Sequence, residues 1–177
     1  MIGAGMFVSP LYDTDARTPP PTRGGLTSDF QAIADRVEID ALLGELNDAG
    51  MQRDYDRFTA LLTENAAWRM PNIPVEFVGR EEIRAGVERM QNHWQYFVQN
   101  THPGTIELDS DQASGGSYIF ELMHGHDGDS QLHYALYHDR YERTPEGWRF
   151  AERAYEIRYL DTTPLAGSGR ALKQAGS

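Results

Sequence analysis

Hydrophobic positions change period once along the chain, from helical spacing in the first half to strand-like runs in the second. Ser28-Asp29-Phe30-Gln31 has the form of a capping box. Phe30, Ile33, Val37, Leu42, Leu43 and Leu46 follow at roughly helical intervals, which predicts a first helix from Ser28 to about Gly50. Asp54 can cap a second helix whose Tyr55, Phe58, Leu61 and Leu62 share a face, and Thr63-Glu64-Asn65 then turns the chain into a strand over Ala66 to Met70. Pro71-Asn72-Ile73-Pro74 interrupts that strand, Val75 to Val78 resumes it, and Gly79 precedes a third helix carrying Ile83, Val87 and Met90.

The rest reads as β. Thr105 to Leu108, Gly116 to Met123, Leu132 to Tyr141 and Trp148 to Tyr159 are rich in β-branched and aromatic residues, and turn sequences separate them. Long strands joined in this way predict an antiparallel meander. Helices grouped first and strands afterwards indicate an α+β domain with three helices packed on one face of the sheet. Pro19-Pro20-Pro21 can neither continue a helix nor sit inside a sheet, so residues 1–27 read as an N-terminal arm, 28–160 as one domain and 161–177 as a C-terminal tail.

Composition narrows the classes of function. A formal charge of −11 without any Lys/Arg cluster argues against a nucleic-acid surface, because phosphate binding needs concentrated positive charge. No cysteine is present, which excludes disulfides, a thiolate nucleophile and Cys-ligated zinc. No apolar run approaches the roughly 20 residues of a membrane span, and the first residues fit a secretory signal poorly, so a cytoplasmic location is expected.

Several segments in order carry a resemblance. They are Arg53-Asp54-Tyr55-Asp56-Arg57-Phe58, Thr63-Glu64-Asn65-Ala66-Ala67-Trp68 and Phe77-Val78-Gly79-Arg80-Glu81-Glu82-Ile83. Then come Thr101-His102-Pro103, Ile106-Glu107-Leu108-Asp109, Asp111-Gln112-Ala113-Ser114-Gly115, Asp139-Arg140-Tyr141 and Gly147-Trp148-Arg149-Phe150. From about Phe30 to Leu160 this succession resembles the SnoaL-like, nuclear transport factor 2-like superfamily. The resemblance implies a cone, a strongly bent sheet around a long first helix, with a deep apolar cavity open at one end. The superfamily includes polyketide cyclases, scytalone and bile-acid dehydratases, ketosteroid isomerase and non-catalytic subunits, so fold alone leaves function open.

By that resemblance His102 matches the acid/base histidine of the dehydratases, and imidazole can take and give a proton near neutrality. The bland alternative is a histidine that closes a loop. Alternation places Ser117, Ile119, Glu121 and Met123 on one face and Tyr118, Phe120, Leu122 and His124 on the other. Glu121 then sits where bile-acid dehydratase-like proteins have an acidic cavity residue, unless a one-residue slip turns it to solvent. Asp139 matches an aspartate that holds the oxyanion in the isomerase, with Tyr137 and Tyr141 on its face; pairing with an Arg is the alternative.

Other positions depart from the family pattern. Leu46 and Met51 stand where dehydratases place a Tyr and an Asp, and Met70 stands at the isomerase base position. Asn47 or Asp48 could supply polarity one turn earlier, Asp48 pairing with His102 or facing water. With Leu46, Asn47, Met51, Trp68, Met70, Ile119 and Tyr137 as its lining, the cavity would take an aromatic or polycyclic molecule.

His124 and His126 have no fixed third ligand, and no metal or cofactor is expected. Tyr118, Phe120 and Leu122, if outward, call for cover by a second copy in a dimer or trimer. The expected function is a cofactor-independent acid/base enzyme, a dehydratase, cyclase or isomerase, acting on a small apolar molecule. The alternative is a non-catalytic binding protein or accessory subunit.

Overall fold

A computed structural model describes the backbone of residues 23–169 and side chains from residue 29 onward. The arm before Arg23 and the last residues of the tail lie outside the described residues. The elements run α1 (Arg23–Gln52), α2 (Tyr55–Ala60), β1 (Leu62–Met70), β2 (Val75–Val78), α3 (Arg80–Asn92), β3 (Trp94–Asp109), β4 (Gln112–Gly125), β5 (Ser130–Thr144) and β6 (Gly147–Asp161). One curved, unclosed sheet has the strand order β2-β1-β6-β5-β4-β3. All neighbours are antiparallel except β1 and β6, which run parallel; β3 to β6 form the expected antiparallel meander, and the parallel pair makes the sheet as a whole mixed.

Helix α1 packs into the hollow of the sheet through Ile39, Leu42, Leu43, Leu46 and Ala49, spaced to form one continuous stripe. Phe30, Ile33 and Val37, expected on that stripe, are instead solvent-exposed. At 3.6 residues per turn they lie about 180° around an ideal helix from the buried face. The helix also begins five residues ahead of Ser28, which places the Ser-x-x-Gln sequence inside it rather than at its cap.

Polar contacts hold the first half of α1. Asp35 is 5% exposed and accepts hydrogen bonds from Arg143 Nη2 at 2.7 Å, Gln31 Nε2 at 2.9 Å and Trp148 Nε1 at 3.3 Å. Glu38 accepts from the Trp148 backbone N–H at 3.0 Å. That carboxylate also fills the space where a side chain at Gly147 would stand, and Gly147 has φ +103°, a conformation side chains rarely adopt.

Asp54 caps α2 through the Arg57 N–H, and Phe58 is the buried residue of that short helix. The chain becomes extended already at Leu62, so Leu62 belongs to β1 rather than to the helix. Arg53, in the left-handed region at φ 56°, ends α1 and donates to the carbonyls of Gln91 and Trp94, tying the α1–α2 corner to the α3–β3 corner. Strand β3 starts at Trp94 rather than Thr105. Its first half, with Trp94, Tyr96, Phe97 and Val98 interrupted by Gln95, Gln99 and Asn100, has β-favouring residues without strict alternation and pairs with β4 through one irregularity between Trp94 and Tyr96. No helix among the described residues is long and apolar enough to cross a membrane.

Candidate active site

Between the helices and the sheet lies a cavity of about 340 Å³, at the small end of the range for ligand sites. Three walls make it. Leu43, Leu46, Asn47 and Gly50 come from α1, Phe58 from α2, and Val87, Met90 and Gln91 from α3. Trp68 and Met70 of β1, with Ile73 from the β1–β2 turn, form a second side. Inward positions of β3 to β6 complete it with Phe97, Gln99, Thr101, Glu121, Met123, His133, Tyr137, Arg153, Tyr155 and Ile157. The lining is mostly apolar and aromatic. Trp68 stacks on Phe58 at 5.7 Å and meets the edge of Tyr137 at 5.8 Å.

Polar groups gather on the strand side around Glu121, which is 7% exposed. Gln99 Nε2 donates to its Oε1 at 2.7 Å, and the Tyr155 hydroxyl donates to its Oε2. His133 Nδ1 stands 3.3 Å from Glu121 Oε2 and 3.1 Å from the Tyr155 oxygen, while His133 Nε2 faces Gln131 Oε1 at 3.0 Å. The placement follows from register: Gln99 pairs with Glu121 across β3–β4, and Glu121 with His133 across β4–β5. Directly paired residues project to the same face. Burial, reinforced by the Glu121 carboxylate, pushes the Tyr155 phenol far above its ordinary range and keeps it protonated.

Arg153 is the cation of the cavity. Its guanidinium lies 3.8 Å from the centre of the Tyr137 ring and 4.5 Å from that of Phe150. Asp139 behind it accepts from Nε at 2.7 Å and from Nη2 at 3.1 Å. Burial is the largest single influence on Arg153 and lowers its pKa, but Asp139 and the neighbouring Tyr137 and Tyr141 together make the net shift upward, so the charge is fixed. Tyr137 is pushed up by burial and remains a neutral phenol. On the helix side, Thr101 Oγ1 donates to Asn47 Oδ1 at 2.9 Å.

The structure brings together only part of the expected site. Glu121, Leu46, Asn47, Trp68, Met70 and Tyr137 line the cavity. His102 is exposed on the outer face of β3, opposite Tyr118, because Thr101 takes the inward position beside it. Asp48 faces solvent and pairs with Arg57 at 2.5 Å, so it meets neither His102 nor the cavity. Asp139 is buried but sits behind Arg153, which takes both its oxygens. Ile119 belongs to the core and not to the lining, and Met51 lies beside the wall, its sulfur accepting from the Gln99 N–H at 3.2 Å.

Sequence reasoning missed Gln99, His133, Arg153 and Tyr155. Extending the alternation of β4 to β5 and β6 would have marked His133, Arg153 and Tyr155 as inward polar positions; Gln99 lay in a segment not expected to be a strand. Among the described residues no group of three or more His, Asp or Glu is placed to hold a metal ion.

Similarity to known proteins agrees with the architecture. A hexachlorocyclohexane dehydrochlorinase, LinA type 2, superposes with a TM-score of 0.71 at 23% identity, covering 81% of this chain and 97% of that one. LinA type 3 from Novosphingobium barchaimii LL02 gives 0.70 at 24% identity, with 79% and 96% covered. A nuclear transport factor 2-like protein with a cystatin-like fold from Novosphingobium aromaticivorans gives 0.67 at 18%, with 84% and 93% covered. Comparison with curated protein sequences yields no match. The SnoaL-like domain profile matches residues 31–154, most of the chain and nearly all of the helices and sheet described above, and the protein therefore belongs to the SnoaL-like domain family.

Proposed function

We propose that the protein is a cofactor-independent acid/base enzyme of the lyase or isomerase type, acting on a small, largely apolar molecule in this cavity. The observation that carries the reading is Glu121, a carboxylate almost without water on the wall of an apolar chamber. Such a group is a natural proton acceptor for a substrate C–H bond, since its partners are fixed hydrogen bonds and not mobile solvent. Arg153 supplies a fixed positive charge in the same chamber, suited to negative charge developing on an oxygen or a leaving group. Tyr137 is stacked by Arg153, and its ring lies 5.0 Å from that of Tyr155, the donor to Glu121. The names of the LinA neighbours denote loss of hydrogen chloride, a proton removal coupled to departure of an anion, and this division of labour supports chemistry of that kind.

A second reading, a carrier without catalysis, is favoured by one observation. Both oxygens of Glu121 are already engaged, and α1 offers the cavity only Asn47 as a polar side chain. The two readings separate in D2O with a panel of small cyclic alcohols, ketones and halides. For an enzyme, the wild type converts or deuterates at least one compound, and Glu121→Gln loses about 10²- to 10⁴-fold in rate. Binding of that compound should change little. Tight binding by the wild type with neither product nor deuterium uptake would leave the carrier.

A further inference from the structure

Protons around Glu121 have few places to go. Gln131 presents its amide oxygen to His133 Nε2 at 3.0 Å, so Nε2 carries a hydrogen and donates it. His133 Nδ1 then faces two oxygens, the Tyr155 hydroxyl at 3.1 Å and Glu121 Oε2 at 3.3 Å. Tyr155 has one hydroxyl hydrogen and donates it to Glu121.

Through the shorter contacts that Tyr155 makes with both partners, two arrangements leave every group matched. In the first, Glu121 is ionised and accepts from Tyr155, and His133 is an imidazolium that donates from Nδ1. In the second, Glu121 is a carboxylic acid donating to the Tyr155 oxygen, Tyr155 donates to Nδ1, and the ring is neutral. They interconvert when the Nδ1 proton passes to the Tyr155 oxygen as the phenol proton passes to Glu121; neither the proton count nor the net charge changes. With one proton fewer, either the Nδ1 lone pair faces two oxygens or the Tyr155 oxygen faces an unshielded carboxylate, and both are costly in a dry site.

We propose that Glu121, Tyr155 and His133 form a relay holding one shared proton, with Gln131 as the positioning residue that selects which nitrogen of His133 joins it. The relay deepens the acid/base reading of the cavity and rests on it for its use. Glu121 takes a proton from substrate carbon while the shared proton stays in reserve, and the relay returns to its resting count when one proton is handed back to the substrate. The other titratable or charged groups lining the cavity are Tyr137 on β5, Arg153 on β6 and His93 at the end of α3; α1 contributes none.

Nitrogen NMR of the ¹⁵N-histidine-labelled resting protein tests the relay without any substrate, the His133 signals being identified by their loss in His133→Asn. The expected result is a proton on Nε2 across the pH range in which the protein is folded. In Tyr155→Phe, folded by circular dichroism, the His133 titration should move by at least one pH unit. In Gln131→Leu the neutral ring should shift towards the Nδ1–H form.

A wild-type ring with hydrogen on Nδ1 and a bare Nε2 overturns the proposal, as does a His133 titration unchanged in Tyr155→Phe. If Tyr155→Phe does not fold, an Nε2–H tautomer that persists in Gln131→Leu overturns it instead. Loss of the enzyme reading in the Glu121→Gln experiment would leave these signatures intact, so the two failures are distinguishable.

Discussion

Arg153 sets a full positive charge against an apolar chamber, an arrangement held by the two hydrogen bonds from Asp139. Removing one member of a buried pair leaves the other uncompensated, typically at about 3–5 kcal/mol. Asp139→Ala should therefore lower unfolding stability by that order in urea titration, and a loss below about 1 kcal/mol would show that Arg153 finds another partner. Period-two alternation was enough to place Glu121 on an inward face. The partner of Asp139 was not readable in this way, because pairing across β5–β6 depends on the register of two strands. His102 shows the converse: a family match at a single residue did not carry over, since the strand presents Thr101 inward and His102 outward.

Helix α1 carries two messages on opposite faces. Its buried stripe was legible from spacing at Leu42, Leu43 and Leu46, but counting apolar residues alone merged that stripe with Phe30, Ile33 and Val37. Asp35, a charged residue one turn before Ile39 and so on the buried stripe by spacing, is the residue that fastens the helix to β5 and β6. Hydrogen bonding from Arg143 above all holds the Asp35 carboxyl below its ordinary pKa, against the opposing effect of burial. A carboxylate with a depressed folded pKa gives stability that is fully present above the unfolded value of about 4 and is lost as pH falls through the lower folded value. The stability gap between wild type and Asp35→Asn should accordingly be constant near neutrality and shrink below about pH 4. Chemical denaturation at a series of pH values measures this, and a gap that widens on acidification contradicts it. Triple replacement of Phe30, Ile33 and Val37 by Ser should leave the monomeric fold essentially as stable as before, each site lying within the roughly 0.5 kcal/mol typical of surface changes.

On the scale of the whole molecule, the convex face of the sheet is unusually aromatic. Tyr118, Tyr134 and Tyr159 are 62%, 52% and 54% exposed, and Phe120 and Tyr134 pack 5.0 Å apart across β4–β5. Exposed apolar surface of this kind favours association. Sedimentation velocity is expected to show a homo-oligomer that Tyr134→Glu shifts towards monomer by at least tenfold in dissociation constant. A wild type that stays monomeric at tens of micromolar would leave the face as plain surface.

The parallel pairing of β1 with β6 has a consequence for the order of synthesis. Arg69 and Glu152, which join these strands, are 83 residues apart in sequence, and Arg153, Tyr155 and Ile157 are all carried by the last strand. A nascent chain thus emerges with its helices and β1 made but with half of its chamber unwalled, a hydrophobic hollow whose closing contacts are among the most distant in the sequence. Contacts of such separation slow folding and prolong exposure to aggregation. Small molecules that fill the finished chamber act only after release of β6, drawing the completed chain towards its folded form by mass action.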